Sequence, residues 1–352
     1  MLNNYDIKWI ASLSLAMTLF RELAQILKRA SLRGGTTKQS ILIVLLCAGF
    51  LHNSFAQNFT AQADSVPAAT DTIPYYPQHQ TEQKIHPWRV AVIVSVVPVT
   101  VGGLYVYLQK AWWADQRVPF HFEDDLLYAL NLDKAGHFVS GILVSTAFTD
   151  LYTFAGIKRK NAVWFGAGTS IVCSTIVEMR DAVAPYWGFS RFDELANILG
   201  AMYPVLQEKV SFFKNFNFKW SYSFTKPSYY MSLPENKNSI FLDDYERQNF
   251  WLTVDVARIF FPHKNHRKFP YFIDLAVGMS ARDLSGANSH ERNEKMGWRE
   301  GYRECFIGFD LNLSKLKFTN TKVEHYARKY MNFYHLPSPN VRVEPNAKAG
   351  IW

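Results

Sequence analysis

Three short polar clusters interrupt a region of apolar and small residues: Asp-Lys-Ala-Gly-His at 133–137, Glu-Met-Arg-Asp at 178–181 and Gly-Phe-Ser-Arg-Phe-Asp-Glu-Leu-Ala-Asn at 188–197. Helical spacing of three or four residues places the polar side chains of each cluster on one face. Ionisable groups in apolar helices are costly unless they meet each other, water or a ligand. We therefore predict that they converge into one functional polar cluster, made of Asp133, Lys134, His137, Glu178, Asp181, Ser190, Asp193 and Asn197.

The composition predicts a sizeable core and argues against nucleic acid as a partner. The 352 residues are 48% hydrophobic and 16% aromatic, and the formal net charge is +8. The basic residues are dispersed and no nucleic-acid motif accompanies them, so the charge is compatible with an anionic membrane surface. Cys47, Cys173 and Cys305 have no close partner in sequence, which indicates neither a disulfide framework nor a metal knuckle.

Shifts in composition divide the chain into six segments. An apolar run at 41–51 follows Lys38 and precedes the small residues Ser54 and Ala56, which is typical of a signal peptide and predicts export. Leu46 before Cys47 argues against lipidation. The predicted segments are an N-terminal extension or misassigned start (1–37), the signal peptide (38–56), a linker (57–85), a helical membrane domain (86–209), a β-rich domain (210–318) and a C-terminal helix with a Pro-containing tail (319–352).

The helical domain contains four apolar segments. Residues 90–108 predict a helix kinked at Pro98, with interfacial aromatic and basic residues at its ends. The segments 138–155, 162–177 and 195–206 are rich in small residues that allow close helix packing. They look too short to cross a bilayer, so we predict a monotopic protein. The predicted membrane-interface residues are Trp88, Arg89, Lys110, Trp112, Trp113, Lys158, Arg159 and Lys160.

Beyond residue 209 the periodicity becomes that of β-strands. Apolar residues alternate with other residues at 216–224, 271–279 and 305–313, which predicts a small antiparallel sheet of about three strands. Residues 243–261 favour a helix, and 322–334 predict a final amphipathic helix. Residues 120–125 predict a short amphipathic helix, and 284–299 a loop. The fold class is therefore α+β: a membrane-associated helical bundle, a small antiparallel sheet and a C-terminal helix.

The polar clusters also support a resemblance. Asp133-Lys134 with His137, Glu178 with Asp181, and Asp193 with Asn197-Ile-Leu-Gly-Ala resemble the DUF2279 (YfiM-like) family of exported bacterial envelope proteins over about residues 110–210. The C-terminal part resembles the form of this family found in Bacteroidota. More distantly, the order of these residues is similar to the VanZ family of small membrane proteins. Ala182 departs from the glycine of many family members. The resemblance implies fold and location but no established activity.

Three roles for the polar cluster stay open. It can be structural, with His137 bonded to a carboxylate and Asp193 capping a helix. It can bind a divalent metal through His137, Glu178, Asp181 and Asp193, although no tight ligand motif is present. It can also act on a lipid, with Glu178 or Asp181 as base beside His137. The sequence marks no nucleophile for such a reaction, because Ser140, Ser145 and Ser174 lie on small-residue packing faces.

We predict a non-enzymatic, monotopic cell-envelope protein without a cofactor. Its predicted partners are membrane lipid and other envelope or outer-membrane proteins, as in a subunit or accessory of an outer-membrane assembly. The predicted location is the periplasmic face of the outer membrane, with the inner membrane as the alternative. The competing hypothesis is a lipid-binding or lipid-modifying VanZ-like enzyme that uses Asp133, His137, Glu178, Asp181 and Asp193.

Overall fold

The computed structural model describes residues 85–111, 113, 117–185, 187–224, 228, 241–260, 271–282, 284, 302–316, 322–343 and 348–351. The described part combines helices with antiparallel sheet, which confirms the α+β class. The signal peptide, the N-terminal extension and nearly all of the linker lie outside the described residues, as does most of the predicted loop at 284–299. The six domain boundaries stay predictions.

The first half of the described part contains four α-helices: α1 (Pro87–Ala111), α2 (Leu132–Phe154), α3 (Arg159–Asp181) and α4 (Arg191–Lys209). α2 and α3 contain 23 residues each, so the expectation of short helices was wrong. The helices are longer because the polar clusters belong to their ends instead of preceding or following them. Within the described residues, α3 is long and apolar enough to cross a membrane, a test that a buried core helix also passes. Monotopic insertion stays a prediction.

Small residues bring the helices of the bundle into close contact, as their abundance predicts. A Cβ added at Gly200 of α4 would overlap the carbonyl oxygen of Phe138 in α2. A Cβ at Gly166 of α3 would lie 2.6 Å from the carbonyl oxygen of Ser145 in α2, and one at Gly141 of α2 would lie 2.9 Å from that of Asn197 in α4. Backbones at this distance leave no room for side chains, so α2 packs against both α3 and α4 through glycine.

The predicted helix at 120–125 is not formed. Strand β1 (Phe122–Glu123) instead pairs in parallel with β2 (Phe189–Ser190), directly before α4. The rings of Phe122 and Phe189 lie 5.7 Å apart, and Phe120 packs edge-on against Phe122. This contact between residues distant in sequence outweighs the local helical pattern. It fixes the segment that carries Asp125 next to the start of α4.

The second half is an antiparallel sheet larger than predicted. Its order in the described residues is β3 to β8, comprising β3 (Phe216–Tyr222), β4 (Gln248–Val254), β5 (Ile273–Arg282), β6 (Tyr302–Leu311), β7 (Pro339–Arg342) and β8 (Lys348–Ile351). β4 lies where a helix was favoured; only Val256–Phe260 (α5) is helical there. β7 and β8 lie in the predicted tail. The expected final helix is present as α6 (Lys322–Met331).

The segment after α6 links two edges of this sheet. The backbone N–H of Trp220 in β3 donates to the carbonyl oxygen of Phe333 at 2.9 Å, and that of His335 donates to Trp220 at 2.9 Å. A few residues later the same segment becomes β7, which pairs with β6. The sheet therefore curls, and one of its faces is enclosed.

The enclosed face holds many polar side chains beside a small apolar cluster of Trp251, Ala276 and Phe306, and much of the opposite face is apolar. Lys219, Asp274, Ser280, Glu304 and Asp310 are at most 1% exposed. Their neighbours along β5, β6 and β7 point the other way and expose 38% to 56% of their surface; these are Leu275, Val277, Ile307, Phe309 and Val341. The usual water-soluble pattern is inverted.

Aromatic contacts join the bundle to the sheet. Phe138 of α2 packs edge-on against Phe218 of β3, with ring centroids 4.7 Å apart, and Tyr203 of α4 lies 5.1 Å from the same ring. Leu132 and Val139 share a buried cluster with Phe250 of β4. The end of the sheet that carries these residues thereby covers the start of α2, where the first polar cluster lies.

Candidate polar site of the helix bundle

The Lys134 side chain lies at the centre of the site. Its Nζ is 2.7 Å from Asp125 Oδ2, 2.7 Å from Asp133 Oδ2 and 2.7 Å from Asp193 Oδ1. Lys134 and Asp133 belong to the first turn of α2, Asp193 to the first turn of α4, and Asp125 to the loop after β1. One ammonium thus joins three carboxyl groups from three segments.

The imidazole of His137 connects these carboxyl groups to α3. Its Nε2 lies 3.5 Å from Asp133 Oδ1 and 3.7 Å from Asp193 Oδ1. Its Nδ1 lies 3.1 Å from Asn197 Oδ1, and the Asn197 amide donates to Glu178 Oε1 at 3.4 Å. The structure therefore brings together residues of all three sequence clusters.

Ser190 is the residue that caps α4, a role that the sequence analysis considered for Asp193. The backbone N–H of Asp193 donates to Ser190 Oγ at 3.0 Å, and the Ser190 hydroxyl donates to Asp125 Oδ1 at 2.5 Å. Asp193 lies three residues inside the helix instead, and its carboxyl group is directed at Lys134. A serine N-cap followed three residues later by an acidic residue is a known helix start, so the spacing contained this signal.

Two participants were missed. The Tyr245 hydroxyl donates to Asp133 Oδ1 at 2.5 Å, and Asp125 pairs with Lys134. Tyr245 lies between the first two strands of the sheet, more than 100 residues from Asp133, and no local pattern marks it. Asp125 was assigned to an amphipathic helix that is not formed. Tyr245 closes the site from the side of the sheet.

Asp181 is hydrogen-bonded outside the cluster. Its Oδ1 accepts a hydrogen bond of 2.5 Å from the indole Nε1 of Trp113. Trp113 is 1% exposed, packs with Leu108 and Ala184, and stacks near Arg180. Its assignment to the membrane interface is therefore corrected: the indole is buried because its N–H pairs with a buried carboxyl group.

The other predicted interface residues lie at one end of the bundle, where they are described. Trp88 is 59% exposed, and the Arg89 guanidinium lies over the rings of Trp88 and Phe154 and donates to the Phe154 carbonyl oxygen at 3.0 Å. Lys158 and Lys160 are exposed, whereas Arg159 is half-buried and pairs with Glu208 at 3.0 Å. The side chains of Lys110 and Trp112 lie outside the described residues.

Burial and mutual charge shift the pKa values of the site strongly. For Asp133, burial raises the pKa, but the positive charges of His137 and Lys134 outweigh it and lower the pKa below its usual range. For His137 and Lys134, burial lowers the pKa, while the carboxyl groups around them raise it above its usual range. Burial raises the pKa of Glu178 to about 8, that of Asp193 to about 9 and that of Asp181 to about 7. Asp133 is thus the ionised carboxylate that pairs with the positively charged His137 imidazole, and Glu178 keeps its proton and is neutral.

These shifts predict that stability falls as the pH rises from about 5 to about 8. Glu178 and Asp181 ionise near their ordinary pKa when unfolded but keep their protons to about 8 and about 7 when folded. In that window the unfolded chain binds fewer protons, so each unit of pH costs folding free energy. Thermal unfolding of the full chain in detergent across this range should show the decline.

Glu178→Gln, which keeps the acceptor and cannot ionise, should give a shallower decline than the parent. Asp124→Asn is the matched control, because Asp124 is an exposed carboxyl group next to the site. An identical slope for Glu178→Gln and the parent would contradict the neutral state of Glu178.

The site also offers a set of metal-ligating atoms. Ligand atoms of Asp133, His137 and Asp193 lie within 4.8 Å of one another. However, the Lys134 ammonium is already placed among the carboxyl groups at ion-pair distance, so a cation would have to displace it. Of the four metal ligands considered from the sequence, His137 and Asp193 belong to this set, while Asp181 is directed at Trp113. The metal assignment stays a prediction.

Of the three serines considered as nucleophiles, Ser140 and Ser174 bond to carbonyl oxygens of their own helices. Ser140 Oγ donates to the carbonyl oxygen of His137 at 2.9 Å, and Ser174 Oγ donates to that of Ile171 at 3.0 Å. Ser145 is fully buried at the contact with α3. None of these hydroxyl groups is offered to the imidazole of His137.

Comparison with known proteins supports the resemblance seen in the sequence. Residues 121–209 match the model of DUF2279, described as a predicted periplasmic lipoprotein. No curated protein and no solved structure matches the chain. The similarity to VanZ stays a prediction. The description names a lipoprotein, whereas Leu46 before Cys47 argued against lipidation; both residues lie outside the described part of the chain. The matched region runs from β1 to the end of α4 and contains Lys134, His137, Glu178 and their partners, so the part of the chain that carries the polar site is similar to the DUF2279 family.

Proposed function

We propose that the protein is a monotopic, membrane-embedded component of the bacterial cell envelope, in which the polar site holds the helix bundle together. The family description supports an exported protein. Membrane insertion rests on one observation of the structure, which is that many polar side chains are buried while many large apolar side chains are exposed.

The inversion is present in both halves of the molecule. The largest fully buried side chains include five ionisable ones beside Trp113, Trp251, Phe306 and Leu132; these are Lys219, His335, Glu246, Glu304 and Asp244. On α4, Leu195, Leu199 and Leu206 are 52%, 54% and 37% exposed, while Asp193 and Asn197 face inward. Water penalises such a surface, whereas acyl chains accept it and penalise exposed charge. Strands with apolar residues outward and polar residues inward are typical of proteins surrounded by lipid.

The interfacial end of the bundle supports an orientation. Trp88 and Phe154 are exposed beside Arg89, and Lys158 and Lys160 extend from the turn between α2 and α3. Aromatic rings and basic groups together prefer the boundary between headgroups and acyl chains. We propose that this end lies at the headgroups of one leaflet.

Leu199→Lys tests lipid contact directly. If Leu199 faces acyl chains, a lysine there costs about 2.5–3.5 kcal/mol in the apolar region, and the protein should be lost from carbonate-washed membranes. If water surrounds it, lysine should be tolerated and solubility should rise. Ser211→Lys is the matched control, since Ser211 is exposed just beyond α4 and should leave membrane association unchanged.

We further propose that the protein serves as a subunit or accessory of an outer-membrane assembly. Both the bundle and the sheet expose apolar faces, and exposed apolar patches of this kind mark contacts with other proteins as well as with membranes. Separation of inner and outer membranes from cells with a tagged copy, followed by mild extraction, tests this. Outer-membrane location with stoichiometric partners supports the assembly role. Recovery alone from the inner membrane favours the second candidate, a VanZ-like lipid-binding protein or enzyme.

A further inference from the structure

A chain of three side chains on the enclosed face of the sheet has the order of a hydrolytic triad. Ser338 Oγ lies 3.3 Å from His335 Nε2, and His335 Nδ1 lies 2.8 Å from Asp310 Oδ1. Hydroxyl, imidazole and carboxylate joined in this way activate a serine nucleophile on several unrelated folds. These residues belong to β6 and to the segment before β7, outside the polar site of the bundle.

The carboxylate end of this chain is firmly held. Asp310 Oδ2 accepts a hydrogen bond of 2.5 Å from the Lys219 ammonium, and Lys219 itself is fully buried. Burial raises the pKa of Asp310, but the hydrogen bond from His335 and the charge of Lys219 lower it below its usual range. An ionised Asp310 fixes the imidazole proton on Nδ1, which leaves a lone pair on Nε2 facing Ser338.

The imidazole is fixed in orientation as well as in tautomer. The ring of His335 stacks on Trp251 of β4, with centroids 3.9 Å apart and planes 20° from parallel. The backbone N–H of His335 is bonded to Trp220 in β3. The ring therefore has little freedom to turn away from Ser338, as preorganised catalysis requires.

Ser338 lies where this chain reaches the surface. It is half-buried between Pro337 and Pro339, while His335 is fully buried. Its hydroxyl also makes a short hydrogen bond to the carbonyl oxygen of Phe309, so its single proton has two acceptors. Phe309 and its neighbours on the outward face of β6 and β7, Ile307 and Val341, are 56%, 47% and 46% exposed. An apolar acyl chain is the substrate part that this surface would accept.

We propose that Ser338 and His335 are catalytic residues of a serine hydrolase that cleaves carboxylic esters of apolar acyl chains, with Asp310 as the positioning residue. Ser338 Oγ attacks the ester carbonyl carbon as His335 Nε2 takes the hydroxyl proton. The C–O bond to the alcohol breaks and His335 returns the proton to the departing alkoxide. Water then attacks the acyl-serine by the same proton transfer, releasing the fatty acid and restoring Ser338.

The test is covalent labelling of the full chain in detergent with an alkyl fluorophosphonate, which loses fluoride to a nucleophilic serine. We expect one label, located on Ser338 by peptide mass spectrometry, and hydrolysis of p-nitrophenyl decanoate. Ser338→Ala should lose the label and at least about 100-fold in rate, and Ser211→Ala, at an exposed serine elsewhere, should lose neither.

Circular dichroism and thermal unfolding decide whether Ser338→Ala is folded; because Ser338 is half-buried and loses only a hydroxyl, it should be. Absence of label and of hydrolysis in folded parent protein overturns the proposal, as does a label on another serine. Asp310→Asn should change the pH profile of the hydrolysis rate. If the carboxylate of Asp310 were purely structural, the pH profile would stay unchanged. Membrane location is measured separately, so the failure of either proposal is distinguishable from that of the other.

Discussion

Lys134→Met is expected to destabilise the protein by about 3–5 kcal/mol, the cost of leaving buried charge without its partner. The methionine fills much of the space of the lysine stem but leaves the carboxyl groups of Asp125, Asp133 and Asp193 facing one another without an ammonium. Chemical unfolding of the full chain in detergent measures the loss. Lys158→Met, at an exposed position of the same charge, is the matched control and should change stability little.

A second variant separates lost charge from lost packing. Adding Asp133→Asn to Lys134→Met removes the carboxylate whose pKa lies below its usual range, so the double variant should regain part of the lost stability. If Lys134→Met unfolds like the parent protein, the ammonium is not what holds the site together. In that case a bound cation becomes the better explanation for the three ligand atoms of Asp133, His137 and Asp193.

Gly200→Ala is expected to destabilise the protein by about 3 kcal/mol, although alanine is the better helix former. The added Cβ would overlap the carbonyl oxygen of Phe138 and lie within 3.0 Å of its Cα. Neither atom belongs to a flexible side chain, so α2 and α4 must move apart, and overpacking of this kind costs free energy. The movement would also shift Asn197 and His137, which are one turn away on the same helices.

Gly168→Ala supplies a control of opposite sign. Gly168 lies in α3 with nothing within 4 Å of an added Cβ. Its replacement should stabilise the helix by about 0.5–1 kcal/mol, since alanine loses less backbone entropy on folding. Thermal unfolding of the two variants side by side should therefore give shifts in opposite directions. Two shifts of the same sign would contradict the close contact of α2 with α4.

The polar site and the proposed triad illustrate two uses of buried polar groups. In the bundle, Lys134 and His137 lie beside Asp133, and burial holds Glu178 neutral, so the charges of the site are paired inside the molecule. In the sheet, the chain from Lys219 to Ser338 ends at a half-buried hydroxyl. A network that is complete inside the molecule favours architecture, whereas one that ends at the surface next to exposed apolar residues favours chemistry.

The sequence by itself determined the four apolar helices of the bundle, though not their ends, together with the small-residue contacts and most of the polar site. Helical spacing places Asp133 with His137 and Asp193 with Asn197, and the cost of burying ionisable groups requires that these pairs meet. The alternation of apolar residues located β3, β5 and β6, because a repeat of two residues can be recognised in the sequence without knowing which strands pair. The convergence of His137, Glu178 and Asn197 follows from the same reasoning.

The tertiary structure alone decided the contacts between segments that are distant in sequence. Tyr245 reaches Asp133, Asp181 turns to Trp113, and Asp125 joins Lys134 because β1 pairs with β2. Strands β4, β7 and β8 form since they find partners on a curled sheet, which local propensity does not encode. The same curling brings Asp310 to His335 and Ser338, and it places charge inside and apolar residues outside. Only the pairing of strands could reveal which face of each strand is enclosed.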